Sequence, residues 1–332
     1  MTTISVALRA GLGAARRNWG LVALLLALNL GCAALLAAPL AMSLRSDLAN
    51  REAAGRMLYG FDHGWWSQWH SEQHGFTREF GPEILGPGFA FRNLELLLRG
   101  DLPGGLFARA GEDDEDPRRV DPTILGLGVL YMLLQTFLAG GVLGVLRAPQ
   151  AGWSLRGLVH GSGFYFGRMF RVALLGLAGA WLVFGLNAPI ASWVDRQAAE
   201  AVAESTALAW TFGRHLALLL ALGVVFLVSS YAKVIVVLEE RTSALLAVVS
   251  AVGFLLRNPL KALGHCAAIG LLLIALLASW SVVDGAWETT GFKSQLVTLA
   301  LAQGLMFGRI FLRVGLLGGM VALYGASVRN GS

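Results

Sequence analysis

Six stretches of the chain are long, apolar and nearly free of charge: Leu21–Leu44, Thr123–Leu146, Val172–Val194, Leu216–Leu238, Ala262–Val283 and Gln295 to about Gly319. An α-helix rises 1.5 Å per residue, so about 20 apolar residues cross the roughly 30 Å hydrocarbon core of a bilayer. Each stretch therefore predicts a membrane-spanning helix. Two are interrupted: the fourth carries Lys233, and the sixth carries Arg309 and Arg313, one helical turn apart. The first follows Arg9, Arg16 and Arg17, but its apolar core is too long for a signal peptide and predicts an uncleaved anchor.

The segments between spans resemble one another. Ser5 to Asn18, Ser154 to Arg168 and Ser243 to Asn258 each start with a serine able to cap a helix, and each reaches an arginine just before a span. This predicts a unit used three times: a short interfacial helix, an outward span, an outer loop and an inward span. The fold class is all-α, a six-helix membrane bundle with interfacial amphipathic helices. It forms a single membrane domain over residues 1–332, with an extracytoplasmic insertion at 45–122. The glycines Gly140, Gly141 and Gly144 of the second span predict close helix approach.

Charge then sets orientation. With the N-terminus inside, the inner segments hold Arg147, Arg156, Arg168, Arg171, Arg241, Arg257, Lys261 and Arg329 besides those already named, and only two acids, Glu239 and Glu240. The positive-inside rule places both termini in the cytoplasm of a bacterial inner membrane. The chain is 56% hydrophobic and 14% charged, far from the roughly 25% charge of soluble domains. Its basic residues are scattered between spans, which excludes nucleic acid as a partner. Cys32 and Cys266 fall inside spans and predict no disulfide.

The insertion predicts short helices at Ser46–Tyr59 and Phe89–Arg99, a loop at Gly81–Gly88 and an acidic loop at Gly111–Arg119. Trp65, Trp66 and Trp69 cluster on one helical side and predict anchoring at the outer membrane surface. His70 and His74 share a helical face and, with His63, form a candidate metal site, although the His-Glu-x-x-His pattern is not present. The sequence has no nucleophile elbow, phosphate-binding glycine loop or Walker motif, and no resident cofactor is expected.

Arg309 and Arg313 admit three roles. They are snorkelling anchors at the inner boundary, or partners of the ion-pair candidates Glu239 and Glu240. Otherwise they are a fork for an anion or lipid headgroup, completed by Lys233, Arg168 and Arg171 at similar depth. The apolar run Val314–Val328 either extends the helix against the interfacial helices or shifts the span so that both arginines approach the midplane.

The stretch YAKVIVVLEERTS, Tyr231–Ser243, running on to FLLRNPLKAL, Phe254–Leu263, resembles a recurring pattern in uncharacterised bacterial multi-pass membrane proteins. Gly60-Phe61-Asp62 with its tryptophans, and Gln303 through Arg313 to Leu323-Tyr324, are similar to other parts of that group. The group is itself loosely similar to the membrane domain fused to some glycerophosphodiester phosphodiesterases. In this chain Ser230-Tyr231 stand where the group carries an acidic residue before Ala-Lys. The resemblance implies six spans and no established activity, and the phosphodiesterase chemistry is not carried over. The reading is a non-enzymatic accessory or scaffold subunit that contacts membrane lipids and a protein partner. The alternatives are a small-molecule or lipid transporter, which needs polar residues at the midplane (Asn29, Gln135 and Gln303 are the candidates), and a membrane enzyme with an external metal site.

Overall fold

The computed structural model describes residues 3–49, 52–57, 62–73, 77, 122–148, 152–286 and 292–331. Within them the chain is helical: α1 (Ile4–Arg17), α2 (Trp19–Leu48), α3 (Glu52–Met57), α4 (His63–Glu72), α5 (Pro122–Arg147), α6 (Leu155–Glu200), α7 (Glu204–Leu238), α8 (Ala244–Arg257), α9 (Pro259–Ala286) and α10 (Phe292–Gly331). Six of these, α2, α5, α6, α7, α9 and α10, are long and apolar enough to cross a membrane. The chain is a multi-pass helical membrane protein.

The six divide by burial. In α5, α7 and α10, 44%, 44% and 39% of the apolar window is buried, against 17%, 11% and 11% in α2, α6 and α9. The first three pack pairwise into a central triangle, and the other three form its periphery. Each central helix closes one of the three sequence units.

The short helices tie the units into a ring. Helix α1 lies along α10, the start of α6 along α5, and α8 along α7. Each therefore packs on the helix that closes the preceding unit, and α1 completes the circle by packing on the last. Two of these contacts bring backbone close to backbone at glycine. A Cβ on Gly11 would collide with the Gly315 carbonyl and lie 2.8 Å from the Gly319 amide nitrogen. A Cβ on Gly140 would lie 2.8 Å from Tyr165 Cβ and 3.1 Å from the Gly161 carbonyl oxygen. Small residues at these positions allow the close approach that holds apolar helices together. At the third contact Ala247 and Ala251 are wholly buried.

The second unit departs from the expected plan. Ser154–Arg168 does not form a separate interfacial helix; it runs without interruption into the following span as α6, and on through Pro189 to Glu200. The physical reason is the residue after the arginine. In the first and third units it is Asn18 and Asn258, which leave helical geometry at φ/ψ of −106°/37° and −133°/47°. Their side-chain amides donate back to the carbonyls of Ala14 (2.9 Å) and Phe254 (3.5 Å), competing with the next turn. In the second unit it is Met169, which has no such competing group. The serines differ too. Ser154 and Ser243 accept from the amides of Gly157 and Leu246, whereas Ser5 sits inside α1 and pairs with Thr3.

Val314–Val328 belongs to α10, and its Val314, Leu316, Met320, Leu323 and Tyr324 are buried. The run extends the helix against α1. Of the insertion, Ser46–Tyr59 is divided between the end of α2 and α3, while 81–88, 89–99 and 111–119 lie outside the described residues.

Candidate functional site

Two polar assemblies occupy the end of the bundle that carries α1 and α8, called here the basic end. The first is the turn between α7 and α8. Arg147, the last residue of α5, donates to Glu240 Oε1 at 2.6 Å and to the Val237 carbonyl at 3.2 Å. Arg168 of α6 donates to the Glu240 carbonyl at 3.1 Å, and its guanidinium lies over the Phe164 and Tyr165 rings. Arg241 pairs with Glu239 at 2.5 Å and donates to Ser250 Oγ at 2.8 Å. Tyr324 of α10 donates its hydroxyl to the other Glu239 oxygen. Glu240 itself has φ +52°, the left-handed region that side chains rarely adopt. These contacts hold one turn to α5, α6, α8 and α10.

Both ion-pair candidates, Glu239 and Glu240, are thus engaged with Arg147, Arg241 and Tyr324. Neither pairs with Arg309 or Arg313.

The second assembly lies deeper, among the central helices. Arg313 Nη1 donates to Gln135 Oε1 on α5 at 3.0 Å. Arg309 and Lys233 are both within electrostatic reach of Arg313. Tyr131, one turn from Gln135 on α5, donates to Asn29 Oδ1 of α2 at 2.6 Å. At 1.5 Å per residue, Lys233 lies about 8 Å from the Leu238 end of α7, and Gln135 about 18 Å from the Arg147 end of α5. The cluster sits within the apolar part of the bundle, toward its basic end. Among the described residues no carboxylate lies within ion-pairing distance of Arg309, Arg313 or Lys233. Further along α10, Gln303 Oε1 is buried with no hydrogen-bond partner among the described residues.

The five basic residues expected to act together are therefore divided. Lys233 of α7 and Arg309 and Arg313 of α10 lie within electrostatic reach on the central helices, Lys233 half-buried and both guanidinium-bearing residues exposed. Arg168 is spent on the α7–α8 turn, and Arg171 faces a different cavity between α6 and α8. Gln135, Tyr131 and Asn29 join the central cluster. The sequence holds a signal for Gln135: it stands five residues before Gly140-Gly141, as Arg313 stands five before Gly318-Gly319.

On the opposite side, α4 is capped by Asp62, whose carboxylate accepts from the Trp65 amide at 3.0 Å and from Arg56 at 2.8 Å. These two contacts hold the Asp62 carboxyl below its ordinary range. Trp66 and Trp69 are buried, and Trp69 Nε1 donates to Asp47 at the end of α2 at 2.7 Å. Trp65 stacks on Trp69 and stays half-buried. Trp69 thus ties α4 to the end of α2, with Trp66 buried beside it. His63 and His70 lie at opposite ends of α4, His70 stacks on Trp66, and His74 is outside the described residues. Among the described residues no three His, Cys, Asp or Glu side chains gather as a metal site would require.

The chain matches no protein-family model, no curated protein and no solved structure. The resemblance carried by its short motifs thus identifies no family, and the functional reading rests on the geometry above.

Proposed function

We propose that this chain is a non-enzymatic lipid-binding protein of a bacterial inner membrane, its basic end in the cytoplasm, which takes an anionic phospholipid headgroup on Arg309, Arg313 and Lys233. The observation that carries this reading is the uncompensated charge of the cluster. A cation within the bilayer costs several kcal/mol unless it is paired or reaches water. Glu239 and Glu240, the carboxylates nearest Lys233 in sequence, are already engaged elsewhere. Arg313 is held sideways by Gln135 of α5 while it and Arg309 stay exposed, so the guanidiniums are accessible to a ligand. Two guanidiniums one turn apart and an ammonium suit the several oxygens of a phosphate.

A second reading, passage of an anionic amphiphile, is favoured by one observation. The polar residues Asn29, Gln135 and Gln303 lie on helices around the same region, with Gln303 Oε1 still unpartnered among the described residues. Native mass spectrometry of gently extracted protein, wild type against Arg309→Ala/Arg313→Ala, tests the shared premise. Wild type is expected to retain a phospholipid that the double variant loses at unchanged thermal stability. Equal retention would overturn the lipid reading. A stoichiometric protein partner retained by both would favour an accessory-subunit role instead.

A further inference from the structure

The α6–α8 groove offers a second polar-and-apolar site, lined by none of the residues of the central cluster. Arg171, Leu174, Leu175 and Ala178 fall at helical spacing on one face of α6 and form one wall of a cavity of about 770 Å³. Thr242, Ser243, Ala244 and Leu245 form the other. Volumes of this order hold small-molecule and lipid ligands. The cavity is polarised along α6. The guanidinium of Arg171 and the hydroxyls of Thr242 and Ser243 lie at the basic end. Leu174, Leu175 and Ala178 continue from there toward the middle of the helix, where Ala178 leaves room that a larger residue would fill.

Arg171 has no hydrogen-bond or ion-pair partner among the described residues, whereas Arg168, one turn away, donates to the Glu240 carbonyl and lies over the Phe164 and Tyr165 rings. The polar rim is also fixed in advance. Arg168 holds the Glu240 carbonyl, Arg147 neutralises the Glu240 carboxylate, and Ser243 is held by the Leu246 amide. A rim ordered before binding loses little freedom when a ligand arrives. Leu245 and Leu246 at the start of α8 are 62% and 57% exposed, an apolar surface continuous with the cavity.

We infer that this groove is a binding site for an anionic phospholipid, with its phosphate on Arg171 and the Thr242 and Ser243 hydroxyls and an acyl chain along Leu174, Leu175 and Ala178. A free anion would use only the rim. A neutral lipid would leave the Arg171 charge unmatched.

The test uses the full chain, delipidated in mild detergent and titrated with phosphatidylglycerol or phosphatidylcholine, with bound lipids counted by native mass spectrometry. Arg171→Ala is expected to weaken one phosphatidylglycerol-binding event by about tenfold. Ala178→Trp is expected to abolish that event by filling the groove. Arg309→Ala/Arg313→Ala is expected to leave it intact, so the central site and the groove succeed or fail separately. Unchanged phosphatidylglycerol binding in both Arg171→Ala and Ala178→Trp would overturn the inference. So would phosphatidylcholine binding there as tightly as phosphatidylglycerol, or millimolar inorganic phosphate displacing the lipid completely.

Discussion

Replacing Gly11 by alanine adds one methyl group where α1 meets α10. That methyl would collide with the Gly315 carbonyl oxygen and sit 2.8 Å from the Gly319 nitrogen, both backbone atoms that cannot rotate aside. To relieve the clash, α1 must move outward by about 1 Å, and a gap of that size forfeits up to roughly half of each dispersion contact along the interface. Ala7, Ala14 and Ala15, buried in the same seam, lose packing together. Overpacking of this kind costs about 1–3 kcal/mol. Gly13, on the same helix, has nothing within 4 Å of a Cβ. There the same substitution removes only the flexibility of glycine and stabilises by about 0.5–1 kcal/mol. The two variants should therefore shift the melting temperature in opposite directions, Gly11→Ala down by several degrees and Gly13→Ala slightly up. In a Cys32→Ser background, a thiol-reactive dye reporting exposure of Cys266, which packs against this core, gives the midpoint in detergent. If Gly11→Ala melts with wild type, or if Gly13→Ala falls as far as Gly11→Ala, the close α1–α10 contact is wrong.

Further outcomes follow from the turn and the caps. At the Glu240 turn, both Glu240→Ala and Glu240→Gly lose the Arg147 pair, but only glycine tolerates φ +52° without strain. Glu240→Gly should be the more stable of the two by about 1 kcal/mol, measured by denaturant titration. The Asp62 carboxyl is held low by the Trp65 amide and Arg56. Its stabilisation of α4 is therefore complete above the ordinary aspartate range and is lost as pH falls through the lowered folded value. An acid-induced change in tryptophan fluorescence should be present in wild type and diminished in Asp62→Asn.

The six spans were legible because each is a run of apolar residues long enough to cross a bilayer, and length with hydropathy decides that question locally. The helix breaks were half legible. The serine-to-arginine pattern marks three similar segments, but the break itself depends on Asn18 and Asn258, and Met169 cannot supply it. Which charge meets which was not legible. Arg147 looks like one more topological arginine, yet it neutralises Glu240. Gln135 looks like an isolated polar residue, yet it receives Arg313. Such pairings depend on how three central helices turn toward each other, which hydropathy does not encode. The equal spacing of Gln135 and Arg313 from their glycine pairs was the one sequence trace of it.

The ring of helix contacts also orders events in time. Helix α1 leaves the ribosome long before α10, yet α10 is the helix it packs on, with Gly11 seated against Gly315, Gly318 and Gly319. The other two short segments meet partners already made, since α5 precedes α6 and α7 precedes α8. During synthesis α1 must therefore wait, its apolar face held by the membrane surface or by the insertion machinery, until α10 has been translated. Closure of the ring is then a single late docking step, and a chain interrupted before α10 leaves an uncovered amphipathic helix for quality control to find.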